Sequence, residues 1–280
     1  MKVGLFEQKW TEFRKAFAIA MLSAFIATAI ISCGNNKSVL VTEIKVSPAS
    51  RGVGKASKAG DFYIQGQSQH VKGDLQAAIA AYTNAINLNP DYAEAYNSRG
   101  LAYFDMGSKQ EAIANYNEAI RINPNFAPAY NNRGNARAAN GDSNNAIADY
   151  TEAIRINSNY AEAYNNRGNA RLAMKDINGA VDDFDQAILL DPRYAIAYNN
   201  RGNARQANGD PQGAIADYNE AIRINPNFAP AYNNRGNARA ANKDKQGAKA
   251  DLQRAATIFE RENNKGLYQE VMNNLKELGQ

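Results

Sequence analysis

The sequence predicts an all-α fold, a right-handed α-solenoid of six stacked helix-turn-helix units closed by a C-terminal capping helix. Three observations predict it. Residue types recur with a period of 34, apolar residues inside each period recur at helical spacing, and glycine and aspartate fall where helices should stop and start. The Ala-rich composition leans the same way, because Ala loses almost nothing on entering a helix.

The period is the firmest of the three. Residues 116–140 and 218–242 have the same sequence, three periods apart. At single steps Tyr96, Tyr130, Tyr164, Tyr198 and Tyr232 fall in register, as do Gly100, Gly134, Gly168, Gly202 and Gly236. Ala112, Ala146, Ala180, Ala214 and Ala248 follow, then Tyr116, Tyr150, Phe184, Tyr218 and Leu252. Pro90, Pro124, Pro192 and Pro226 close their units. A degenerate first copy starts at Ala59, with Phe62, Gly66, Ala78, Tyr82 and Ala85 in place. The units are 59–92, 93–126, 127–160, 161–194, 195–228 and 229–262.

Within a unit, Asp91 with Glu94, and Asn159 with Glu162, have the spacing of a capping box that starts a first helix. Gly107, Gly141 and Gly209 fall where that helix should end, with Asp142 and Asp210 placed as N-caps of a second. In the second helix Ala146, Ile147, Tyr150, Ala153 and Ile154 mark one apolar face. Gly134 and Ala146 remove bulk where the two helices cross. One pair cannot bury its own apolar face, so the pairs must stack. Residues 263–280 carry Leu267, Val271 and Leu275 at steps of four, joined by Tyr268, Met272 and Leu278, which predicts a helix covering the open end.

An aromatic at the fourth place, Gly at the eighth, Ala at the twentieth and Pro at the thirty-second resembles the tetratricopeptide repeat over residues 59–262. The departures are Tyr for Trp at the fourth place, Arg for Leu at the seventh and, in four copies, Arg for Tyr at the eleventh. Ser158 and Glu260 stand where Pro is expected. The resemblance implies a protein- or peptide-binding scaffold without catalytic activity. It also implies that the fifth and ninth places line a concave groove, while the seventh and eleventh pack towards the second helix and the neighbouring unit.

On a helical wheel Arg133 and Arg137 share one side, and Asn131 and Asn135 lie opposite. The other units repeat this with Arg167 and Arg171, Arg201 and Arg205, and Arg235 and Arg239. A guanidinium in a packed layer needs an anionic partner, so these arginines should meet Asp149, Asp183, Asp217 and Asp251, with Glu118, Glu152 and Glu220. The opposite stripe is the candidate peptide-binding site: Asn97, Asn131, Asn135, Asn165, Asn169, Asn199, Asn203, Asn233 and Asn237. Asn is a mediocre helix former, and each carboxamide offers an acceptor and two donors to match a peptide unit. Some tetratricopeptide and armadillo proteins, which this resembles, hold ligand backbones with such a ladder. A solvated polar face is the alternative, and on either reading Asn→Ala should leave stability unchanged or slightly raised. Glu162, Ile196 and Pro230 occupy the second place, where a carboxylate clamp would need Lys.

Residues 1–32 read as an address. Lys9, Arg14 and Lys15 precede an apolar run from Ala16 to Ser32, the form of a secretory signal peptide. The one cysteine of the chain, Cys33, ends that run after Ile30, Ile31 and Ser32. This resembles the bacterial lipobox, which implies lipidation of Cys33 and anchoring to a membrane of the cell envelope, on its periplasmic or extracytoplasmic face. An uncleaved signal anchor is the alternative. Residues 33–58 then form a flexible basic linker spanning roughly 25–30 Å. Gly52, Val53, Gly54 and Lys55 fail as a phosphate loop, because Ala49 and Ala56 stand where Gly and Ser or Thr are required.

Composition excludes further classes. One Cys and one His allow no internal disulfide and no Cys/His zinc site. His70 has no nucleophile motif beside it and reads as a solvated helix residue. The formal charge is +4, part of it in the N-terminal segment, so the body is near neutral and gives no case for nucleic-acid binding. The expected function is therefore a membrane-anchored protein-interaction scaffold with no cofactor or metal. A pilotin-like or assembly-factor lipoprotein for an envelope complex is the alternative.

Overall fold

A computed structural model describes residues 55–279, with side chains from residue 58 onwards. The signal-peptide and lipidation readings, including Cys33, lie outside the described residues. Among those residues there are thirteen helices and no strand. They are α1 (Lys55–Val71), α2 (Leu75–Leu88), α3 (Ala93–Asp105), α4 (Lys109–Ile122), α5 (Ala127–Ala139), α6 (Ser143–Ile156), α7 (Ala161–Ala173), α8 (Ile177–Leu190), α9 (Ala195–Ala207), α10 (Pro211–Ile224), α11 (Ala229–Ala241), α12 (Lys245–Arg261) and α13 (Lys265–Leu278).

The described chain falls into two compact units that divide inside α9, after Ala197. In the first, α1–α2, α3–α4, α5–α6 and α7–α8 are hairpins, and α2 also packs on α3, α4 on α5, and α6 on α7. First helices touch in turn, α1 with α3, α3 with α5, and α5 with α7. In the second unit α10 packs on α11, α11 on α12, and α12 on α13.

The hairpins close tightly because an aromatic ring of the second helix lies on a glycine of the first. A Cβ added at Gly134 would sit 2.6 Å from the Tyr150 ring, and one at Gly168 would sit 2.7 Å from Phe184. Tyr82, Tyr116, Tyr150, Phe184 and Tyr218 are all fully buried, with alanines filling the space around them. Glycine at the eighth place is thus a condition of the interhelical distance.

Helix ends follow local chemistry. Asp74, Asp142, Asp176, Asp210 and Asp244 each accept a hydrogen bond from the backbone N–H three residues on. Gly73, Gly107, Gly141 and Gly209 turn the chain at φ of 80–84°. Lys175 and Lys243 make the same turn at φ 65° and 66°, without the freedom of glycine. The capping boxes do not form. The N-caps of α3 and α7 are Tyr92 and Tyr160, neither with a side-chain cap. Asn89 and Asn157 instead accept from the backbone N–H groups of Asp91 and Asn159, so an Asx turn closes the entry before the helix begins.

At the C-terminal end Val271 is buried among Leu252, Ala255, Ile258 and Phe259, with Leu267, Tyr268, Leu275 and Leu278 packed around it. The predicted cover is present, although Met272 faces outwards. No helix among the described residues is long and apolar enough to cross a membrane.

Candidate peptide-binding face

Two polar layers flank the alanine core. On the side towards the second helices, the buried Asp149 carboxylate accepts from Arg133 Nε (3.0 Å) and Nη2 (2.7 Å) and from Arg137 Nη1 (2.8 Å). Asp183 is held the same way by Arg167 and Arg171, Asp217 by Arg201 and Arg205, and Asp251 by Arg235 and Arg239. These carboxylate side chains are only 3–5% exposed. Pairing with two guanidiniums is what makes their burial tolerable.

Arg133, Arg167 and Arg235 also reach the preceding repeat. Arg133 Nη1 donates to Asn117, Arg167 Nη1 to Thr151, and Arg235 Nη1 to Asn219. Each guanidinium lies over the Tyr of its own helix, as Arg133 does over Tyr130 at 5.4 Å. The glutamates do not join this layer. Glu118, Glu152 and Glu220 pair with Arg121, Arg155 and Arg223 one turn along their own exposed face. In the unit of α3 and α4 the carboxylate is replaced by Asn115, whose Oδ1 accepts from Arg99 Nε at 2.8 Å. Burial without an anionic partner lowers the Arg99 pKa.

The asparagine stripe lies on the opposite side of the first helices, and it is largely out of water. Asn97, Asn131, Asn165, Asn169, Asn199, Asn203, Asn233 and Asn237 are 3–9% exposed, and Asn135 is half-buried. A simple solvated face is therefore not what the stripe forms. The reason is a residue the sequence reading passed over, the Asn at the sixth place. Asn132 Nδ2 donates to Asn97 Oδ1 at 3.0 Å, and Asn166 Nδ2 to Asn131 Oδ1 at 3.1 Å. In the second unit Asn234 Nδ2 donates to Asn199 and Asn203, both at 3.0 Å. Asn274 of α13 takes this part for Asn237. The ninth place has another partner, since Tyr150 donates to Asn135 and Tyr218 to Asn203 at 2.9 Å each.

These bonds consume the carboxamide oxygens. The Nδ2 groups of Asn97, Asn131, Asn135, Asn203 and Asn237 have no acceptor among the described residues. The face therefore presents unpartnered donors, while most of its oxygens already accept a bond. Where the pattern breaks, polar atoms are stranded. Leu101 stands at the ninth place of α3, and the Tyr116 hydroxyl has no partner, with burial pushing its pKa up. Asn169 has neither atom partnered, and Asn233 lacks a donor to its oxygen.

His70 is also buried, at 4% exposure, which corrects its reading as a solvated residue. Its Nε2 lies 2.7 Å from Asp105 Oδ2. The two are 35 residues apart, the same one-period-plus-one separation as Asn97 and Asn132. Adjacent first helices meet in that register, so it was discoverable from the period. Among the described residues no His, Cys, Asp and Glu group could hold a metal ion.

Comparison with known proteins agrees with this geometry. No curated protein matches the chain. The crystal structure of MamA is 26% identical over 59% of this chain and 96% of its own, with a TM-score of 0.52. YrrB, described as a TPR protein with an unusual peptide-binding site, is 19% identical over 70% of this chain and 98% of its own, TM-score 0.51. PilF of Pseudomonas aeruginosa is 18% identical over 79% and 100%, TM-score 0.65. The latter two likenesses are of fold alone. The TPR repeat model matches residues 66–107, 100–141 and 134–175, and the tetratricopeptide repeat model matches 161–194 and 195–228. With more than half of the chain matched and the hairpins in the same register, the chain belongs to the tetratricopeptide repeat family.

Proposed function

We propose that this chain is a membrane-anchored interaction scaffold that binds an extended peptide segment of a protein partner along the asparagine face, without catalysis. The supporting observation is that, in both units, carboxamide Nδ2 groups are left without acceptors while their oxygens accept bonds within and between repeats. Unpartnered donors suit the carbonyl oxygens of an extended backbone, which recur whatever the side chains. Anchoring rests on the sequence around Cys33.

Affinity capture from solubilised envelopes, with mass spectrometry, tests both parts. The reading expects a reproducible partner that Asn131, Asn135, Asn203 and Asn237 substituted together by Ala no longer retain, and acyl mass on Cys33. Undiminished capture by that variant would place the binding site elsewhere. Retention of residues 1–32 with a free thiol would replace lipidation by a signal anchor.

A further inference from the structure

We infer that Asn169 on α7 is the anchoring position of this face, where a ligand peptide unit is held through both its N–H and its C=O. The inference rests on the peptide-binding reading above and concerns one point along it.

Four facts meet at this residue. Asn169 occupies the ninth place, and its equivalents Asn135 and Asn203 each accept from a tyrosine hydroxyl. The equivalent aromatic on α8 is Phe184, fully buried on Gly168 like the tyrosines on theirs, but with no hydroxyl to donate. Asn169 is more than nine-tenths buried. Both its Oδ1 and its Nδ2 are without a hydrogen-bond partner.

The energetic consequence separates it from its neighbours. A buried carboxamide with no partner carries an unrecovered desolvation cost, so any group that satisfies it is strongly favoured. The oxygens of Asn97, Asn131 and Asn199 already accept one internal bond and that of Asn203 accepts two, so satisfying them gains less. That of Asn169 accepts none. Its atoms are out of contact with solvent. Engagement therefore requires a side-chain rotation towards the ligand, and for Asn169 that rotation breaks no hydrogen bond. Asn233 also has an unpartnered oxygen, but Asn169 is the position of this face where acceptor and donor are both unpartnered and buried.

The test uses the full-length protein and a defined probe, a blocked hexapeptide of alternating alanine and serine, followed by NMR of the asparagine side-chain amides. Wild type should bind the probe at millimolar concentration, with the Asn169 amide shifting most. F184Y restores the hydroxyl found in the neighbouring repeats and should weaken binding about threefold to tenfold, the value of one hydrogen bond. Y150F should free Asn135 Oδ1 and strengthen binding by a similar factor. Both variants copy residues already accommodated at this place, so folding is expected and is checked by circular dichroism. If wild type binds but F184Y binds equally well, or other asparagines shift as much, Asn169 is no anchor although the face binds peptides. If the probe does not bind wild type up to its solubility limit, the peptide-binding reading itself fails.

Discussion

Converting Asp183 to Asn removes one charge from a layer in which charge and hydrogen bonds are tightly matched. The carboxylate, 3% exposed, accepts three charge-assisted bonds, from Arg167 Nε (3.0 Å), Arg167 Nη2 (2.7 Å) and Arg171 Nη1 (2.8 Å). In D183N one oxygen still accepts, but the new NH2 faces a guanidinium, donor against donor. Each such bond contributes about 1.5–3 kcal/mol, and Arg171, at 28% exposure, recovers part of its loss from water. A loss of about 2–4 kcal/mol is expected. The protein holds its own compensation for this change. Next to Arg99, Asn115 occupies the Asp place and Tyr103 the place of the second arginine, and Asn115 Nδ2 donates to the Glu111 carbonyl at 2.8 Å. Adding R171Y to D183N copies that arrangement. It frees the Gly179 carbonyl, which Arg171 now contacts at 3.2 Å, to accept from the new NH2. The double variant should therefore recover about 1–2 kcal/mol relative to the sum of the singles. Urea unfolding, with hydrogen exchange resolved to α7 and α8 because repeat arrays open locally, measures both quantities. A neutral D183N, or strict additivity, would refute the claim that these arginines are structural.

Other substitutions probe the remaining contacts. G134A drives a Cβ to 2.6 Å from the Tyr150 ring and should lower stability by about 1–3 kcal/mol in the same unfolding assay. K175G relieves a non-glycine residue at φ 65° and should raise stability by about 1 kcal/mol. Burial raises the phenol pKa of Tyr116 and Tyr218 well above the ordinary 10.0. The folded state thus favours the neutral phenol, so this contribution to stability is complete below pH about 10 and is lost as pH rises beyond it. Phenolate absorbance of these two tyrosines should appear together with loss of helical circular dichroism; ionisation within an intact fold would contradict the burial argument.

The repeat, the helix ends marked by glycine, the small residues at the helix crossing and the Arg–Asp layer were legible because each depends on residues at fixed spacing within one period. The capping boxes were misread because Asn89 and Asn157 close the turn two residues before Asp91 and Asn159 could cap. Local pattern alone does not say which of two competing side chains binds the backbone. The sixth-place asparagines and His70 were missed for a different reason. Their partners lie one period plus one away, and wheel geometry within one helix never brings such pairs together.

That omission changes how the asparagine face must be tested. From sequence alone, an Asn→Ala change on the face costs nothing and gains helix propensity, about 0.5 kcal/mol per site. In the structure Asn131 accepts from Asn166, and Asn203 from both Asn234 and Tyr218. Truncating Asn203 therefore strands the buried Asn234 and Tyr218 donors, each costing about 1–3 kcal/mol, and truncating Asn131 removes the bond from half-buried Asn166. The penalty exceeds the propensity gain, so the multiple alanine variant should melt earlier than wild type. Weaker capture by it is then ambiguous unless binding is compared where both proteins are fully folded. Removing only donors that lack acceptors avoids the ambiguity. Asn→Asp at position 135 keeps an oxygen for the Tyr150 hydroxyl and replaces the free NH2 by an acceptor. If ligand carbonyls are what the face recognises, that single change should repel them while the fold stays intact.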